Sequence, residues 1–119
     1  METFACVRPE PLNQHGSLFG GQLLLWADEY AGMAAVREFP GCRFVTVAFD
    51  QAEFRRTVPL GAMLRFDMRR VDRGRTSVHY AVAIFATPCG ATDETLIFTT
   101  RVTFVRVDGL GRKTPLPDA

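Results

Sequence analysis

The chain has 119 residues, 47% of them hydrophobic and 23% charged, with a formal net charge of +1. Those proportions are those of an ordinary globular domain and exclude the fibrous and disordered classes. The length supports one core rather than two, so residues 1–119 are read as a single domain.

No apolar run approaches the roughly 20 residues needed to cross a bilayer. The opening Met1-Glu2-Thr3-Phe4 has neither the basic start nor the apolar core of an export signal. The expectation is a cytoplasmic protein with no membrane partner. Cys6, Cys42 and Cys89 are odd in number and far apart, with no CxxC pair. They read as small buried or partly buried thiols, and neither a disulfide framework nor a metal site is expected. The charge is unevenly spread. Between Glu53 and Arg75 stand seven arginines against Glu53, Asp67 and Asp72, a window of +4 that leaves −3 elsewhere. Such a local cationic field suits a small polyanionic ligand better than a nucleic acid, because no chain-wide basic excess accompanies it. A solvated, arginine-rich strand face would give the same pattern.

In chain order, Phe4 to Arg8 reads as a short strand, closed by Pro9 and Pro11. Gly21 to Phe39 contains no proline, and Leu23, Leu24, Ala27, Ala31, Ala34 and Ala35 recur at steps of three and four. That spacing predicts one helix with a single apolar stripe, ended by Pro40-Gly41. Its alanines would let a sheet approach closely. The period then changes to two, which predicts strands over 44–52, 62–72, 76–87 and 94–107. Leu64, Phe66 and Met68 alternate with Arg65, Asp67 and Arg69, so one face is buried and the other wet. Asp72 to Arg75 and Pro88-Cys89-Gly90 read as turns, and 113–119, with Pro115 and Pro117, as a frayed tail. The fold class is therefore α+β, an antiparallel sheet of about five strands wrapped around one helix. One helix cannot cover both faces of such a sheet, and its edge strands need partners, so an oligomer is expected.

Two features at the helix entrance suggest chemistry. Gly20 and Gly21 are costly at a helix start unless the backbone is used, since glycine loses the most entropy on ordering. They would let a ligand approach unpaired N–H groups and the positive end of the helix dipole, where a developing oxyanion is stabilised. A tight turn packed against the sheet is the other reading. Asp28 shares a face with Leu24, Ala31 and Ala35, and a partly desolvated carboxylate is a better base near neutral pH. A structural carboxylate capping a loop would occupy the same position.

The run carrying Asn13, Gly16, Leu18, Phe19, Gly20, Gly21, Leu23, Leu24, Trp26 and Asp28 resembles the hotdog-fold acyl-CoA thioesterases. More narrowly it is similar to the bacterial and brain-type cytosolic acyl-CoA hydrolases. The similarity continues through Val45-Thr46-Val47, Glu53-Phe54, Val58-Pro59-x-Gly61, Gly74 to Val78 and Thr103-Phe104-Val105. The resemblance implies hydrolysis of acyl-CoA with Asp28 as general base on a water, or as a direct nucleophile. It implies that Asn13 positions the water or the carbonyl and that amides of Gly20 and Gly21 hold the oxyanion. In that family the Asp and Asn of one site come from two subunits, so a homodimer is implied, with tetramers or hexamers left open. Helix geometry agrees, because Gly21 and Asp28 lie about 10 Å apart along the axis, too far for one thioester bond.

Coenzyme A enters as part of the substrate, with no other cofactor. Gly74, Arg75, Thr76 and Ser77 match the family's nucleotide-contacting turn, and arginine suits phosphate oxygens. Arg55 and Arg56 would be outer contacts, and Arg65 and Arg69 would stay on a solvated face. His15 would line the pocket entrance and His79 would be structural. Pocket depth would depend on Trp26, Tyr30, Phe49 and Phe54. Two alternatives stand beside this reading: a non-catalytic acyl-CoA binding or sensing protein, and a hotdog dehydratase or hydratase. The second lacks its acid–His pattern here.

Overall fold

One helix among strands can bury its apolar stripe only against a sheet, and the chain is built that way. The computed structural model describes residues 1–8 and 20–118. Its elements are β1 (Glu2–Cys6), α1 (Gly20–Glu38), β2 (Arg43–Phe54), β3 (Met63–Arg73), β4 (Ser77–Thr87) and β5 (Thr95–Val107). The strands form one sheet in the order β1-β3-β4-β5-β2, and every neighbouring pair is antiparallel.

The period-two pattern divides the sheet faces as expected. Leu64, Phe66 and Met68 of β3 and Val78, Tyr80, Val82 and Ile84 of β4 point to the core and are buried. α1 meets them with Leu23, Ala27, Ala31, Ala34 and Ala35. Four alanines in that stripe bring the helix axis close to the sheet, so the larger Trp26 and Tyr30 sit at its flank. Both rings meet Phe66 edge-on, at centroid distances of 5.7 and 4.8 Å. α1 closes at Pro40-Gly41, where Gly41 takes a φ of 83° that only glycine adopts without strain.

The far end of α1 is tied down by polar contacts. The Tyr80 hydroxyl donates to Glu38 Oε1 at 2.7 Å, and Arg70 pairs with the same carboxylate at 3.5 Å. Burial first, and then this hydrogen bond, push the Tyr80 phenol well above its ordinary pKa. The folded chain therefore keeps a proton that the unfolded chain loses near pH 10. Above that pH the unfolded state binds fewer protons, so this contribution is intact below about pH 10 and is lost as pH rises further. Tyr80→Phe should remove that alkaline loss while costing about 0.5–1.5 kcal/mol at neutral pH. Urea unfolding of both proteins at pH 7 and pH 11 measures it, and equal pH slopes would refute the assignment.

Several expectations shift. β1 covers Glu2–Cys6 rather than 4–8, because Val7 leaves the strand to bond Ala62 and Gly61 at the next turn. β2 runs to Phe54, two residues beyond its expected end. It does so through two bulges, one of which holds Gln51 at a φ of 53°. Only Cys42 of the three thiols is buried. Cys6 faces outward on the short edge strand, and Cys89 sits in the turn after β4. Arg65 is not simply solvated: it holds Glu94 through two hydrogen bonds and lies 4.3 Å from the Phe85 ring centroid. His79 does sit in a polar network, between Thr103 Oγ1 at 2.7 Å and Asp72 at 3.4 Å.

The segment after β5 is the largest departure from the sequence reading. Far from fraying, it turns at Asp108 and returns along the sheet end, bridging Lys113 to Val107. Thr114 N–H donates to Arg106 O and Leu116 N–H to Arg75 O, while the Leu116 side chain is buried. The two prolines that suggested disorder instead keep the backbone extended, and their carbonyls accept from Arg106 and Arg73.

Candidate active site

The two flanks of α1 face different strands. Trp26 and Tyr30 lean toward β3, whereas Asp28 turns to the opposite flank, toward the edge strand β2. There the Thr46 hydroxyl donates to Asp28 Oδ1. Thr46 pairs with Phe104 of β5, so it lies on the helix side of the sheet. The carboxylate is thus half-buried and held from one side by a strand hydroxyl.

Asp28 opens on a groove of about 590 Å³ between α1 and β2. Phe44 and Phe104 line it from the sheet, and Glu29, Gly32, Met33, Val36 and Arg37 from the helix. It runs from Asp28 to Arg37, about 13 Å along the helix axis. The middle of the groove is apolar, with Asp28, Glu29 and Thr46 near one end and a single arginine near the other. That arrangement suits a long ligand with an apolar body, a polar reacting group and an anionic end.

The remaining sequence candidates are distributed as follows. Gly20 begins α1, and a Cβ there would stand 3.1 Å from the Phe54 ring, so the close packing of that ring is already one reason for glycine. Gly21 follows it, exposed, in the first turn. Asn13 and His15 lie outside the described residues. Gly74 to Ser77 form the β3–β4 turn, closed by Gly74 N–H donating to Ser77 O at 2.8 Å. A Cβ on Gly74 would come within 2.9 Å of Ser77 Oγ, so any larger residue there would displace the Ser77 hydroxyl. Arg75 is exposed, and Thr76 and Ser77 are half-buried. This turn lies at the same end of the sheet as the start of β2, two strands across, roughly 10 Å.

Arg55 and Arg56 are not beside Asp28. Arg55 pairs with Glu53 at 3.0 Å and lines a hollow with Asp67, Arg69 and Arg101 on the sheet face away from α1. The four aromatics expected to set pocket depth also separate. Trp26 and Tyr30 belong to the β3 flank, while Phe49 and Phe54 stand exposed on β2. Sequence reasoning overlooked Thr46 and Arg37 as site residues. Thr46 is the polar member of the β-branched run Val45-Thr46-Val47, and only the strand's register turns it toward the helix. Arg37 lies nine residues beyond Asp28, and seeing the two in one groove required knowing which flank β2 occupies.

Among the described residues, no group of three or more His, Cys, Asp or Glu is arranged to hold a metal ion. No helix there is long and apolar enough to cross a membrane.

Comparison with known proteins adds to this geometry. A family model described as the thioesterase superfamily matches residues 15–92. An uncharacterised acyl-CoA thioester hydrolase of Bacillus subtilis (strain 168) is 27% identical over 113 residues, covering 93% of this chain. The chain spans 64% of that relative's length. A hexameric hotdog-fold thioesterase of Campylobacter jejuni superposes with a TM-score of 0.86 at 29% identity, covering 97% of this chain and 88% of its own. An acyl-CoA hydrolase of Staphylococcus aureus, solved with butyryl coenzyme A, coenzyme A and coenzyme A disulfide, superposes with a TM-score of 0.88 at 26% identity. That match covers 98% of this chain and 71% of the other.

Proposed function

Since the chain belongs to the thioesterase superfamily and has the hotdog fold, we propose that it hydrolyses acyl-CoA to a free acid and coenzyme A. The observation that carries this reading is Asp28, held by Thr46 at one end of an apolar groove. Asp28 takes a proton from water as the water oxygen attacks the thioester carbon. The C–S bond breaks, and the proton passes to the departing sulfur. Backbone amides at Gly20 and Gly21 hold the oxyanion, and Asn13 orients the water or the carbonyl. The turn Gly74–Ser77 contacts the nucleotide, with Arg75 as phosphate donor. His15 lines the entrance, and the acyl chain follows the apolar wall. The enzyme works in the cytoplasm.

The S. aureus hydrolase supports the assignment of roles. Its structures include alanine variants of an asparagine, an aspartate and a threonine. There the aspartate follows the asparagine by fifteen positions, as Asp28 follows Asn13 here. The threonine follows the aspartate by seventeen, against eighteen from Asp28 to Thr46. The test is thiol release from a panel of acyl-CoAs by the wild type, Asp28→Ala and Asn13→Ala. A wild type that binds these esters yet releases no more thiol than the variants would make the protein a non-catalytic binder.

The site is shared between two copies. β2 is an edge strand, and Val45, Val47, Phe49 and Phe54 are exposed along it, with Leu25, Met33 and Val36 exposed on α1. So much apolar surface beside the groove favours a second chain against β2, which would bring that chain's helix entrance toward Asp28. The hexameric C. jejuni relative is consistent with dimers that assemble further. Complementation measures this. Asp28→Asn and Asn13→Ala, each inactive alone, should recover about a quarter of wild-type turnover when co-refolded, because each mixed dimer holds one intact site. No recovery, with mixed dimers formed, would rule out sharing.

A further inference from the structure

The returning segment after β5 is spent on one small region. Leu116 N–H donates to Arg75 O at 2.8 Å, and Arg106, which accepts from Thr114, donates its own N–H to Thr76 O at 2.8 Å. The Arg73 guanidinium reaches Pro117 O and the Arg106 guanidinium Pro115 O, both at 2.8 Å. The Leu116 side chain is only 5% exposed and belongs to the main core cluster. The turn Gly74–Ser77 is thereby gripped through the carbonyls of Arg75 and Thr76. Among the described residues, the Arg75 guanidinium pairs with nothing.

We propose that Thr114–Pro117 is a strap that sets the Gly74–Ser77 turn for the nucleotide of coenzyme A, with Leu116 as its anchor and a positioning residue. The inference rests on the reading of that turn as the nucleotide contact. Its physical basis is preorganisation. A three-residue connection between two strands has few internal bonds, and a ligand that had to order it would lose affinity. The strap meets that ordering cost during folding. Arg73 and Arg106, held on proline carbonyls, brace the turn, and Arg75 is left to meet phosphate. Leu116 is not itself among the groove-lining residues of the thioester site, so its effect should fall chiefly on the nucleotide.

The experiment compares two substrates with the same acyl group, an acyl-CoA and an acyl-pantetheine, which lacks the nucleotide. Wild type, Leu116→Ala and Arg73→Gln are assayed for thiol release, with thermal melting as a check on folding. Arg73→Gln removes the tie to Pro117, together with a 3.4 Å contact to Gly74 O and the guanidinium beside the Phe39 ring. It leaves the Leu116 anchor in place, so it serves if Leu116→Ala fails to fold. The expected result is a KM for acyl-CoA raised about tenfold, with kcat within about twofold and KM for acyl-pantetheine unchanged. A variant KM that is unchanged for acyl-CoA, or raised equally for both substrates, overturns the strap. A wild type that does not prefer acyl-CoA to acyl-pantetheine overturns the nucleotide turn and the strap with it. A wild type that cleaves neither ester overturns the thioesterase reading itself.

Discussion

Asp28→Asn should lower kcat by a factor on the order of 10²–10⁴, the usual worth of a positioned general base, while coenzyme A binding stays near wild type. Asparagine keeps the shape of the side chain and an oxygen to accept the Thr46 hydroxyl, so helix and strand remain tied. What is lost is the capacity to take a proton from water. Thr46→Val tests the other half of the pair. It preserves the β-branched shape and removes the donor, freeing the carboxylate to rotate away from the groove. A loss on the order of ten- to a hundredfold in kcat is expected, since small misplacements of a catalytic group carry costs of that size. Steady-state thiol release with calorimetric titration of coenzyme A measures both. Full turnover by Asp28→Asn would remove Asp28 from the mechanism.

Phe66→Ala should be the most destabilising single change, at about 3–5 kcal/mol. The ring is fully buried and takes edge-on contact from both Trp26 and Tyr30, so it locks one flank of α1 to β3. Truncation loses the transfer energy of the ring and leaves a void that two large flanking aromatics cannot readily fill. A domain of this size has only about 5–15 kcal/mol in all, and the melting temperature should fall by roughly 10–20 °C. Phe66→Leu separates the terms: it keeps most of the volume, and loses mainly the ring contacts, each worth about 0.5–1.5 kcal/mol. Differential scanning calorimetry of the three proteins decides the ordering, and a Phe66→Ala melt within a few degrees of wild type would contradict it.

The helix and strands were legible because each rests on local periodicity. The alanine stripe and the Leu64-Phe66-Met68 alternation depend only on neighbours in sequence, and both recur as core faces. Strand order and helix flank were not legible, since they follow from which strands pair across long separations. That is why Thr46 and Arg37 were overlooked and why Trp26 and Tyr30 were grouped with Phe49 and Phe54. The segment around Leu116 was misread for a related reason. Prolines and polar residues look like a free end until something distant supplies partners, and here Arg73, Arg75 and Arg106 do. Asp28 was singled out through its sequence context, with Asn13, Gly20 and Gly21, and periodicity alone left it balanced between base and structural carboxylate.

The strand order also bears on how the site comes into being. β3, β4 and β5 are joined by short turns and pair with their neighbours in sequence, so their contacts close small loops. β2 must instead pass two intervening strands to find β5, a longer closure that comes later on a chain governed by loop entropy. The link between Thr46 and Asp28 joins α1 to that late strand. An edge strand broken by two bulges is also among the first segments to open in native-state fluctuations. A nascent or transiently opened chain can therefore hold a nearly complete sheet while Asp28 still stands without its Thr46 partner. Whatever chemistry the groove performs thus waits on a long-range closure, as the pairing of β1 with β3 does, and not on the β3–β4–β5 meander alone.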